Sequence, residues 1–84
     1  MKLAKYTKFR AEKFGGVLFE TRSEKVFSLN PSAAAVVREI SGGADMALVL
    51  ARLKERFREA DQHSIEREAI AFIDELRQKG LIED

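Results

Sequence analysis

Cysteine and tryptophan are missing from these 84 residues, and proline and histidine occur once each, as Pro31 and His63. Without cysteine there is no disulfide, no thiolate metal site and no cysteine nucleophile. One histidine cannot by itself build a zinc site, so no metal is expected. Apolar runs such as Ala33–Val37 fall far short of a membrane span. Met1 to Arg10 is basic and aromatic with no apolar stretch of signal-peptide type, so the expected setting is cytoplasmic, with no membrane partner. Net charge is only +1, whereas dedicated nucleic-acid binders carry a clear cationic footprint. No low-complexity tract, repeat or Pro/Ser-rich linker divides the chain. What is present is a globular composition, 45% apolar, long enough for one domain spanning 1–84 with one modest core.

Charge is unevenly divided. Residues 1–30 hold seven Lys/Arg against three Glu, and residues 31–84 hold eight against eleven Asp/Glu. A basic first part and an acidic second part give a polarised surface without naming a partner.

Alternation predicts a first strand over Phe9–Phe14, with Phe9, Ala11 and Lys13 on one face, before Gly15-Gly16 punctuates the chain as a turn or bulge. Val17-Leu18-Phe19-Glu20 is a second β-rich run, bounded by the polar turn Thr21–Glu24. Lys25–Leu29 is a third, with Phe27 and Leu29 on one face and Val26 and Ser28 on the other. Close turns between three such runs predict an antiparallel meander. Asn30-Pro31 then opens a helix that runs to about Ile40, carries Ala33, Val36, Val37 and Ile40 on one face and ends at Gly42-Gly43. Asp45 caps a second helix with the stripe Met46, Val49, Leu50, Leu53 and Phe57. Ser64 is the expected cap of a third, whose core stripe is Ile65, Ala69, Phe72, Ile73 and Leu76. Gly80-Leu81 is its expected Schellman stop, with Leu81 folding back on Leu76. The fold class is therefore α+β: a three-stranded antiparallel sheet followed by a three-helix bundle.

No catalytic set emerges, and the protein is read as a non-enzyme without a cofactor. His63 falls in a polar loop. Glu66 and Asp74 on one helix flank are ordinary surface chemistry, and Gly15-Gly16 lacks the strand–loop–helix setting of a phosphate cradle. Arg52, Lys54, Arg56 and Arg58 alternate with Glu55 and Glu59 at pairing distance, which reads as a solvated face rather than a phosphate-binding one. The third strand carries more information. With a helix leaving directly from Leu29, it is expected at the sheet edge, where an extended peptide can add a further strand. The third helix would form the other wall, through a flank that holds Glu66, Ile70, Asp74 and Arg77. Ile70 lies off the strict core line, which fits a groove wall and equally fits a widened core face.

The run Glu12-Lys13-Phe14-Gly15-Gly16-Val17-Leu18-Phe19, then Lys25-Val26-Phe27-Ser28-Leu29-Asn30, a small-residue helix ending at Gly42-Gly43, and the closing Phe72-Ile73-x-x-Leu76-x-x-x-Gly80-Leu81-Ile82 together resemble the PqqD family. The resemblance covers about Phe9 to Ile82. It implies a winged-helix-like module, the RiPP recognition element, that binds the leader of a ribosomally made precursor peptide and presents it to a modifying enzyme, a radical SAM/SPASM maturase. In that family the leader is held as an added strand against the third strand, with the third helix opposite. Carried onto this chain, the implied peptide-binding residues are Lys25, Val26, Phe27, Ser28 and Leu29, with Ile70, Ile73, Asp74 and Arg77 on the helix. The same edge is one through which two copies could form a homodimer. The alternative is a winged-helix DNA-binding regulator. Against it, the hairpin here precedes the helices rather than following them, and Glu66, Glu68, Asp74 and Glu75 would repel phosphate.

Overall fold

The computed structural model describes residues 1–84. In chain order the elements are β1 (Lys2–Leu3), β2 (Thr7–Glu12), β3 (Gly15–Glu20), β4 (Lys25–Leu29), α1 (Pro31–Ser41), α2 (Met46–Arg56), α3 (Gln62–Gln78) and β5 (Ile82–Glu83). Strands β2, β3 and β4 form the expected antiparallel meander in that spatial order. Its first strand lies two residues earlier than alternation predicted. Lys13 and Phe14 form the hairpin loop, and the positive φ that completes the reversal falls on Gly15. Phe9 packs on the core as expected, but Ala11 is exposed near the sheet end and Lys13 is in the loop.

The two glycines have separate tasks. Gly15 has φ +142°, and a Cβ there would run into the Leu29 carbonyl oxygen and the Asn30 backbone. It thus lets the start of β3 lie directly against the strand-to-helix junction. Gly16 makes room for the Phe9 ring, which a Cβ would meet at 2.6 Å.

Helix α1 is the centre of the molecule, touching β1, β2, β3 and β4 as well as both other helices. This explains why Ala34 and Ala35 are buried along with the expected Val36, Val37 and Ile40: the helix is covered on more than one side, and small residues permit the approach. The Asn30 side chain accepts from Ala33 N–H at 2.8 Å, and Asp45 does the same for Leu48 at 2.9 Å, as the capping pattern predicts. The third cap differs. Asp61, not Ser64, accepts from the amides of His63 and Ser64, so helix α3 begins three residues early and His63 sits in its first turn rather than in a loop. At the other end Leu81 N–H donates to Leu76 C=O and Gly80 N–H to Arg77 C=O, with Gly80 at φ +72°, the expected Schellman stop.

Strands β1 and β5, with no counterpart in the sequence reading, pair antiparallel and fasten the two ends of the chain together, continued by Ala4 N–H donating to Leu81 C=O at 2.9 Å. No helix is long and apolar enough to cross a membrane.

Candidate functional site

Strand β4 pairs with β3 alone, so its far side is an open edge. Which of its main-chain groups face that edge follows from the ladder. Thr21 N–H donates to Tyr6 C=O at 2.8 Å, which places Tyr6 and Thr21 in a hydrogen-bonded pair. Alternation then makes Lys8–Phe19, Arg10–Val17 and Glu12–Gly15 the bonded pairs between β2 and β3. A strand residue bonds to one side only, so β3 bonds β4 through Gly16–Leu29, Leu18–Phe27 and Glu20–Lys25. Val26 and Ser28 consequently turn their N–H and C=O groups outward.

Side chains on β4 divide as alternation predicts. Leu29 is buried at 5% exposure and Phe27 packs partly on the core, while Val26 stands 57% exposed and Ser28 is exposed. A bare β-branched side chain on an unpaired edge is a feature that proteins ordinarily blunt or use.

Helix α3 runs antiparallel to β4 across the cleft. A hollow of about 470 Å³ joins Lys25 and Phe27 to Lys79, Gly80 and Leu81, with Glu20, Arg22 and Ser23 on its floor and rim. A second, of about 430 Å³, joins Asn30, Ser32, Ala33 and Val36 to Glu68, Ala69 and Phe72, and is closed by Leu53, Phe57 and Ile65. The first is polar and the second largely apolar. The α3 flank on this side is Glu68, Phe72, Glu75 and Lys79, spaced i, i+4, i+7 and i+11.

The flank expected from the sequence lies on the other side of the core stripe. Glu66 pairs with Lys54 of α2 at 3.2 Å, and Arg77 with Asp84 at 2.9 Å and Asp74 at 3.9 Å. Ile70, 37% exposed, belongs to that same side. Ile73 is fully buried, beneath the cleft rather than in its lining. The structure therefore brings Lys25, Val26, Phe27, Ser28 and Leu29 together on one edge, but not Ile70, Asp74 and Arg77 with them. Both flanks carry acids, and the off-stripe Ile70 gives the far flank an apolar residue too, so the signal for the cleft side is Phe72 at the rim of the stripe.

At the polar end, Glu20 accepts from Ser23 N–H at 2.6 Å and from Arg22 Nε at 3.2 Å. The Ser23 hydrogen bonds first, and Arg22 second, hold its carboxyl down at about 2. Two of the four cations in and after α2 are paired, though not through Glu55 and Glu59: Arg52 meets Glu39 of α1 at 3.2 Å and Lys54 meets Glu66 of α3.

The family model described as coenzyme PQQ synthesis protein D (PqqD) matches residues 15–82. The chain belongs to the PqqD family. A PqqA binding protein from Azotobacter vinelandii is 37% identical over 60 residues, which is 71% of this chain and 63% of that protein, so the match spans less than two thirds of the relative. Among solved structures, a lasso peptide synthetase B1 complexed with the leader peptide superposes with a TM-score of 0.80 at 25% identity, covering 99% of this chain and 96% of the other. TbiB1 in complex with the TbiA(beta) leader peptide gives a TM-score of 0.85 over 99% of this chain and 95% of the other; at 18% identity it shows the fold alone. The meander followed by three helices is thus the architecture of this PqqD-family chain and of both neighbours.

Proposed function

We propose that the protein is a non-catalytic peptide chaperone. It binds the leader of a ribosomally made precursor by strand addition to β4 and presents it to a radical SAM/SPASM maturase in the cytoplasm, where such a precursor is made. The observation that carries this reading is the open edge of β4, where Val26 and Ser28 face outward across a cleft from α3. Main-chain hydrogen bonds at those two residues supply affinity, and the cleft supplies side-chain selection. The named partners of its relatives support it: one is a PqqA binding protein, and one neighbour holds a leader peptide. Lys25 to Leu29 form one wall in this reading, and the α3 wall is Phe72, Glu75 and Lys79 rather than Ile70, Asp74 and Arg77. A homodimer through β4 would use the same edge and so compete with the leader.

Titrating the labelled protein with leader peptides encoded by small reading frames beside its gene tests this. The expected result is amide shifts at Val26 to Asn30 and Phe72 to Gly80. Shifts confined to α2, or no binding to any such leader, would overturn it.

A further inference from the structure

The two ends of the β4–α3 cleft differ in chemistry, and the difference has a direction along the strand. At the Asn30 end the hollow is walled by Ala33, Val36, Leu53, Phe57, Ile65 and Phe72. At the Lys25 end the lining holds three cations, Arg22, Lys25 and Lys79, against Glu20. Glu20 is committed to Ser23 and Arg22 and stays ionised well below neutral pH. Lys79 is shared with exposed Glu75 at 3.3 Å, but no carboxylate lies within 4 Å of the Lys25 ammonium. A carboxylate arriving at this end finds an unpaired cation. An apolar side chain arriving just past the other end finds an apolar hollow whose lining begins at Asn30 and Ser32.

Val26 and Ser28 are two residues apart with main-chain groups outward. In an antiparallel partner each would exchange both hydrogen bonds with a single residue, the more stable arrangement per residue. An antiparallel segment has its N-terminal part at Asn30 and its C-terminal part at Lys25. We infer that the cleft selects peptides by polarity: an apolar anchor residue, then a strand-forming stretch, then an acidic residue about six positions later, the separation set by the five-residue span from Lys25 to Asn30 at a rise of about 3.3 Å per residue, taken to the even spacing that keeps both side chains on one face of the added strand. This rests on the strand-addition reading and adds to it a rule for which peptides bind and in which direction.

Three synthetic peptides in a common Thr/Ser/Gln host test the rule. One carries Leu six residues before Asp, one carries Asp six residues before Leu, and one has Ser at both places. The first is expected to bind about tenfold more tightly than the second, with amide shifts at Val26 and Ser28. Lys25→Glu, exposed but directly opposite Glu20 in the ladder and so checked for folding by thermal denaturation, should weaken the first peptide by a similar factor, and replacing its Asp with Lys should restore binding to that variant. Equal affinity in both orders, or no exchange of preference with Lys25→Glu, overturns the polarity rule. If none of the three binds while a gene-adjacent leader still shifts Val26 and Ser28, the rule fails and strand addition stands. Failure of those leaders as well removes the underlying reading.

Discussion

Gly15 shows how one residue secures the site without touching it. Its φ of +142° lies where L side chains rarely go, and a Cβ would collide with the Leu29 carbonyl and the Asn30 backbone. Gly15→Ala should therefore lose about 2 kcal/mol or more, read by chemical denaturation, because strain and a main-chain collision add. Gly16→Ala should lose less, since the Phe9 ring it meets can swing aside. Glu20 makes a different residue-scale prediction. Folding lowers its pKa from 4.5 to about 2, so the ionised carboxylate favours the folded hairpin fully above about 4.5 and progressively less as pH falls toward 2. A carboxyl-carbon NMR titration should place its midpoint near 2. Glu20→Gln should be less stable than the parent at pH 5 and indistinguishable from it below pH 2; a midpoint near 4.5 would remove the Ser23 and Arg22 bonds from the account.

At the level of elements, the ladder parity of β4 makes neighbouring residues respond oppositely to proline. Val26 N–H faces outward, so Val26→Pro removes no bond to β3 and should change stability little. It removes one donor to an added strand, and leader affinity measured by calorimetry should fall roughly fivefold or more. Phe27→Pro breaks a ladder bond and should instead destabilise the fold. A larger stability loss from Val26→Pro than from Phe27→Pro would mean the parity is reversed. The strands, helices and caps that could be read from sequence are those whose signals are local: Asn30-Pro31, Asp45, the Gly80-Leu81 stop and the alternation over Lys25–Leu29. What could not be read depends on three-dimensional neighbours. The two-residue β1 and β5 carry too little pattern to declare themselves. Asp61 displaced Ser64 as a cap because both residue types suit the role. Helical spacing defines two flanks of the α3 core stripe, and only the tertiary arrangement decides that Glu68, Phe72 and Lys79, rather than Ile70, Asp74 and Arg77, line the hollows beside β4.

For the molecule as a whole, the β1–β5 pair joins the chain ends on the side of α1 and α3, and Leu3 packs partly on the core. Leu3→Ala should cost about 1 kcal/mol in thermal denaturation while leaving leader affinity within about twofold, because Leu3 lines neither hollow of the cleft. Uneven charge along the chain now has a structural counterpart: the basic hairpin half supplies Arg22 and Lys25 at one mouth of the cleft, and the α3 flank beyond it is acidic. The central claim is that β4 is completed by a peptide strand. Amide hydrogen exchange tests it most directly. In the free protein Phe27 and Leu29 should be protected by the ladder while Val26 and Ser28 exchange rapidly, and saturation with a bound leader should slow Val26 and Ser28 by at least about tenfold. A leader that binds and leaves both amides exchanging at their free rates would contradict it.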